Sequence, residues 1–271
     1  RLLKETLDNG LTLSYTYDRL QRQTSLTLPD GSSIHYRYDA LTLQEVTRKS
    51  PSGQTLYSAT YLRHNGRSLP LEIELPNHEK ISHTYDGLGR RIAIQSTHFS
   101  QQLTYDALGN LTHLAQSDPE GTLEKDYTYD DLYQLISDEE HTYTYDSLHN
   151  RLTQDNQSYT LSELNELLQS STATFTYDAL GRPQQRTDPE TTYTFDSLDR
   201  LIAIETPTTH LECHYDPFHR RTFTQHNSQE RRYLFEDQNE LGFYSDTQSH
   251  LRILGKGLGA EIGAALALEL N

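Results

Sequence analysis

The residues best suited to chemistry in this chain of 271 residues are its imidazoles, its single thiol and its many carboxylates. His210, Cys213 and His214 form the densest metal-type grouping, with His219 and His226 close by. A zinc site needs such ligands to converge on one point. Successive side chains on a strand alternate between faces, so Cys213 would point away from the face that His210 and His214 share. No metal site is expected there. Gly255, Gly257 and Gly259 give G-x-G-x-G, not the dinucleotide G-x-G-x-x-G, and no βαβ unit follows. The spacing of Gly255, Gly259 and Gly263 suits instead a short helix or strand packed closely on its surroundings. Ser, His and Asp are abundant, but no G-x-S-x-G elbow marks a nucleophile. The acids recur so evenly that none stands out as one of the two distinct carboxylates of a glycosidase. No catalytic residue and no cofactor is expected.

Composition narrows the partners. The net charge is −16, and the 23 Lys and Arg residues are scattered singly, whereas phosphate-backbone binding needs a basic stripe. Nucleic acid is therefore not an expected partner, and anionic membrane surfaces are disfavoured. The longest apolar run, residues 258–270, carries Glu261 and Glu269 and is too short to span a bilayer. One cysteine rules out an internal disulfide framework. The chain opens on Arg1 with no signal peptide, which reads as a piece of a longer protein; an export signal, if there is one, would lie elsewhere. Only 34% of residues are hydrophobic and mean hydropathy is −0.78, so a thick apolar core is not expected. The 19 tyrosines argue equally against disorder, which is poor in aromatic residues.

The elements that must hold these residues announce themselves by repetition. An aromatic-Asp pair recurs at Tyr17-Asp18, Tyr38-Asp39, Tyr85-Asp86, Tyr105-Asp106, Tyr129-Asp130, Tyr145-Asp146, Tyr177-Asp178, Phe195-Asp196 and Tyr215-Asp216. Weaker copies fit at Tyr61-Leu62, Leu161-Ser162 and Phe235-Glu236. Before the pair, aromatics alternate with polar residues, as in Tyr15-Thr16-Tyr17 and Phe175-Thr176-Tyr177, which is the period of a strand. After it come Leu and often Gly with Arg or Asn, as in Leu88-Gly89-Arg90, Leu108-Gly109-Asn110 and Leu180-Gly181-Arg182; Arg200 holds the same place after Asp196. This is turn chemistry: Asp can accept backbone N–H groups just ahead of it, and Gly supplies the positive φ. A second strand follows, such as Arg91–Ile94 or Leu201–Ile204, and returns at Pro29-Asp30-Gly31, Asp118–Gly121 or Asp188–Glu190. Tyr133 in place of Gly and Pro217 after Asp216 predict irregular turns at those two copies. Helix is expected for a turn or two at most, near Ser162–Leu168 or in the tail.

Twelve hairpins give about 24 strands and a strip roughly 110 Å wide at about 4.8 Å per strand. Such a strip must curl. The expected fold is all-β: tandem antiparallel hairpins in a curved or spiralling sheet, a wall wetted on both faces.

The unit Tyr-Asp-x-Leu-Gly-Arg, at Tyr85–Arg90 and Tyr177–Arg182, resembles the YD repeat of Rhs polymorphic toxins, insecticidal toxin-complex proteins and teneurins. The likeness covers residues 2–254. It implies a β-sheet that spirals into a hollow shell, which in bacterial members encloses a C-terminal toxin payload. The implied role is a structural scaffold, residues 1–254 forming shell wall and residues 255–271 the truncated start of an Rhs-associated core-like segment. Its partners would be the remainder of its own shell and an enclosed payload polypeptide, in a secreted or cell-surface protein. Self-cleavage and toxin motifs of the family have no match in this sequence. The alternative is a repeat module that binds carbohydrate or a cell-surface receptor through its tyrosine rows. With twelve hairpins the wall would be an open arc whose unpaired edges invite strand addition.

Overall fold

The computed structural model describes residues 1–256 and 265–270. All regular structure among them is β-strand, and every pairing is between antiparallel neighbours in sequence. The expected strands and return bends are present, including Arg91–Gln95, Leu201–Glu205 and the bends at Pro29–Gly31, Asp118–Gly121 and Asp188–Glu190. Ser162–Leu168 is a turn leading into the strand Leu167–Gln169, not a helix. The Ser162 hydroxyl accepts the N–H groups of Leu164 and Glu166 and so closes a hairpin there. In the tail, Ala265–Leu270 is a strand paired with Ser249–Leu254. The expectations for Gly257, Gly259 and Gly263 lie outside the described residues.

The chain divides into two compact units. One comprises Arg1–Ser100, His214–Thr224 and Gln229–Asn271; the other comprises Gln101–Cys213 and Gln225–Ser228. The second unit is the wetted hairpin array that composition suggests. Among its described residues few side chains are buried, Ala173, Thr191 and Cys213 among them.

The first unit departs from that expectation, because it has a closed apolar core. Thr12–Tyr17, Gln23–Thr27, Ser33–Tyr38, Leu43–Lys49, Thr55–His64 and Pro70–Glu74 are successive strands of its N-terminal part. Their registers set Tyr15 opposite Leu26 and Leu26 opposite Ile34, then Tyr36 opposite Val46 and Val46 opposite Ala59. These rows share one buried cluster with Leu234, Leu241, Leu251, Ile253 and Leu254 from the chain's C-terminal hairpins. Leu13, Leu26, Leu43 and Leu234 have no exposure at all. The overall apolar fraction hides this core because it counts alike the residues packed into it and the apolar residues, such as the turn leucines, that stay exposed.

Polar contacts join the same elements. The Asn9 side-chain amide donates to the carbonyls of Thr222 and Tyr233, both at 2.8 Å. Gln23 donates to Glu236 at 2.8 Å, and Lys256 also pairs with that carboxylate. Arg48, almost fully buried, makes a bidentate pair with Glu269 at 2.8 and 3.1 Å, and Tyr57 donates to the same Glu269 at 2.6 Å.

Candidate functional site

The repeated pair builds one turn many times over. In the copy at Tyr85-Asp86, Asp86 N–H donates to the carbonyl of Arg90 (2.9 Å) and Gly89 N–H to that of Asp86 (3.0 Å). The loop is thus a type I turn followed by a left-handed residue, Gly89 at φ +87°. That geometry inserts a bulge next to the aromatic, and the pairing register shifts between Thr84 and Tyr85 as it does between Thr16 and Tyr17 or Thr176 and Tyr177.

The carboxylate holds the loop shut. Asp86 Oδ1 accepts the N–H groups of Leu88 and Arg90, each at 2.9 Å, while Oδ2 takes Arg90 Nε at 2.7 Å. The same set recurs at Asp178 with Arg182, Asp196 with Arg200 and Asp216 with Arg220. At Asp106 and Asp146 the amides of Asn110 and Asn150 replace the guanidinium. At Asp18, Arg22 supplies both its backbone N–H and Nε. Asp130 accepts the N–H groups of Leu132 and Gln134. Asp39 differs: its loop closes on Thr42, one residue sooner, and its carboxylate takes the N–H of Leu41 and Thr42.

These bonds favour the ionised form. The side-chain donors Arg90, Asn110, Asn150 and Arg182 hold Asp86, Asp106, Asp146 and Asp178 below the usual carboxylate range, and backbone N–H groups do the same chiefly for Asp18, Asp39 and Asp196.

Four expectations about turns are corrected. Tyr133 and His219, with φ +64° and +63°, occupy the left-handed position without disturbing the loop, so the copies at Asp130 and Asp216 are regular. Pro217 sits at the second turn position, where its fixed φ is already right. The weak copy near Tyr61 turns at Asn65, whose Oδ1 accepts the N–H groups of Arg67 and Leu69. Finally, Glu236 caps no loop. A two-residue turn at Asp237 follows it, and its buried carboxylate faces Gln23 and Lys256.

The aromatics couple one turn to the one before, a role their spacing did not disclose. The hydroxyls of Tyr85, Tyr129, Tyr145 and Tyr177 donate to the carbonyls of Pro70, Leu111, Leu135 and Leu167 at 2.8 to 3.0 Å. Each acceptor lies five residues past the capping residue of the preceding turn. Arginines reach the other way. Arg22 donates to the carbonyl of Asp39 and lies over the Tyr38 ring, 4.5 Å from its centre; Arg182 does likewise with Asp196 and Phe195. Tyr105 and Tyr215 likewise stand at the last position of their strands.

His210, Cys213 and His214 share the strand His210–Tyr215, with Cys213 buried and both histidines exposed. His210 pairs with Glu205. A second feature, the recurring Leu of the turn, is read in the sequence without its exposure. Two residues past the capping Asp or Ser stands a large apolar side chain exposed to solvent: Leu20, Leu41, Leu88, Leu108, Leu132, Leu148, Leu164, Leu180, Leu198 and Phe218. Its recurrence was the available signal.

The family model described as Teneurin YD-shell matches residues 90–252, and that described as RHS Repeat matches residues 1–33 and 17–55. No curated protein matches the chain. Solved structures with the same fold include the crystal structure of TcdB2-TccC3 without its hypervariable C-terminal region, at 15% identity and a TM-score of 0.61. Another is the Photorhabdus luminescens Tc holotoxin pore, at 15% identity and 0.59. In each case 97% of this chain is covered but only 17% of the other. The chain belongs to the teneurin YD-shell family.

Proposed function

We propose that this chain is a section of shell wall, a scaffold whose carboxylates and tyrosines are spent on holding hairpins in line. The observation that carries this reading is the link from the hydroxyls of Tyr85, Tyr129, Tyr145 and Tyr177 to the backbone of the preceding repeat. Groups that an enzyme would keep available are engaged in closing turns, which supports a role without catalysis. The hydroxyls and half-buried rings that a carbohydrate site would present are engaged as well, so the wall is favoured over a sugar- or receptor-binding module.

On this reading the partners are the rest of the wall and a polypeptide enclosed by it, in a secreted or cell-surface protein. Residues 1–254 are wall. Residues 255–271 lead toward the core-like segment and add at least the strand Ala265–Leu270. Limited proteolysis of the full-length gene product tests this. Polypeptide downstream of the wall should resist protease in the native protein and be cleaved once Asp146→Ala and Asp178→Ala open the turn column. Equal cleavage in both proteins would refute enclosure.

A further inference from the structure

The exposed leucines of the second unit have no role in the wall as described. Leu108, Leu132, Leu148, Leu164, Leu180 and Leu198 are 56–78% exposed. Each donates its backbone N–H to the capping Asp or Ser of its own turn. The bond that closes the loop therefore also fixes where the leucine stands, away from the sheet.

Successive turns touch, so these side chains form a row. Gln134 donates to His149 at 2.9 Å, Asn150 to Asn165 at 2.8 Å and Arg182 to Asp199 at 2.9 Å. Glu166 closes the remaining interval by lying against Gly181. In each case the last residue of one turn meets the left-handed residue of the next. Tyr129 ties the turn at Asp106 to this series through Leu111. The result is a ridge of leucines, one for every two strands, or about every 9–10 Å.

A polar residue would satisfy this turn position equally well, yet all six positions are leucine. We propose that the ridge is a docking surface for a second copy of this chain, ridge against ridge across a two-fold axis. Three observations select that occupant. The spacing and twist of the ridge are set by hairpins, and an identical ridge matches both. A gap of about 9–10 Å between leucines admits one leucine from the partner, which makes the surface self-complementary, as a two-fold contact requires. At on the order of 100 Å² of apolar surface per leucine, six from each copy bury roughly 1,200 Å², the lower bound of a specific interface. This inference is independent of the shell reading, since a wall need not dimerise and a dimer need not enclose anything.

Sedimentation of the 271-residue chain over 1–200 µM tests it. The native chain should pass from monomer to dimer, and more readily at 0.5 M salt, where screening weakens the repulsion between two copies of charge −16. Leu148→Lys/Leu164→Lys/Leu180→Lys should raise the dimer dissociation constant at least 100-fold with an unchanged circular dichroism spectrum. Because a triple variant can misfold, Leu164→Cys on a Cys213→Ser background gives a second arm. A short bifunctional thiol cross-linker should trap it as a dimer, whereas Cys at exposed Leu56 should give none. A native chain that stays monomeric throughout overturns the proposal. So does a dimer that survives the triple substitution, which would place the contact at a sheet edge instead.

Discussion

An aspartate that accepts two backbone N–H groups and a guanidinium does the work that the loop's own backbone cannot, since a five-residue turn leaves those donors pointing inward. Asp86→Ala should therefore destabilise its hairpin, because those donors lose the acceptor that holds the loop shut. Asp86→Asn should recover part of the loss by keeping one acceptor. The tyrosines allow a test in both directions. Tyr145→Phe removes one hydrogen bond and should cost about 0.5–1.5 kcal/mol, whereas Phe195→Tyr places a hydroxyl where its homologues find a carbonyl, here that of Pro183, and should stabilise by a similar amount. Urea unfolding of each variant measures these effects. Acid should act on all the turns together. Because Asp18, Asp39, Asp86, Asp106, Asp146, Asp178 and Asp196 titrate below the ordinary value of 3.8 when folded, their contribution is complete above that pH. It is lost as pH falls from about 4 through the lowered native values. Thermal melts between pH 6 and pH 2 should show stability falling steeply only below pH 4. The opposite limb belongs to half-buried tyrosines: desolvation pushes Tyr38 and Tyr244 up to about 12, so the stability they confer is present below pH 10 and lost as pH rises from there through the raised native values.

At the scale of the hairpin, the left-handed residue after each type I turn decides which substitutions the wall tolerates. Gln21, Tyr133, His149, Asn165, Asp199 and His219 all hold it at φ between 61° and 67°, so the position excludes only side chains branched at Cβ. Gly89→Val should cost about 1–3 kcal/mol and Gly89→Asn much less, provided Arg67 withdraws from the space a Cβ would need. Hydrogen exchange should show the damage confined to the hairpin of Asp86 and its sequence neighbours, because the array is coupled mainly between adjacent repeats. Uniform loosening of the chain would contradict that. The sequence made these elements legible because strand, turn and return bend each leave a local mark, and Tyr-Asp, Leu-Gly-Arg and Pro-Asp-Gly are all short-range signals. What it concealed has no local mark. The capping role of Asn65 was masked by the aromatic-rich stretch around Tyr61. The destinations of the tyrosine hydroxyls depend on pairing register, and Tyr133 and Pro217 read as faults only until their φ values are known.

At the scale of the molecule, the feature that composition hid is the core of the first unit, where residues more than 200 positions apart share one interior. Long-range packing of this kind cannot be read from a repeat that is defined by its own neighbours. Its polar anchor is the pair between Arg48 and Glu269, which also takes the Tyr57 hydroxyl. Arg48 Nη1 is further held by the carbonyl of Lys49 at 2.9 Å, so the guanidinium cannot swing out to water when its carboxylate is lost. Glu269→Ala should then cost about 3–5 kcal/mol, the penalty of a buried charge without its partner. Glu269→Gln should cost less, because it still accepts from Arg48 and Tyr57. Replacing both charges, Arg48→Met with Glu269→Leu, should restore most of the stability, since an apolar pair of similar volume carries no desolvation penalty. Urea unfolding of the three variants distinguishes an anchor from a decoration. A loss below about 1 kcal/mol for Glu269→Ala is the value of an exposed pair, and would mean that the two ends of the chain are held together by the leucine cluster and the Asn9 and Gln23 contacts without this pair.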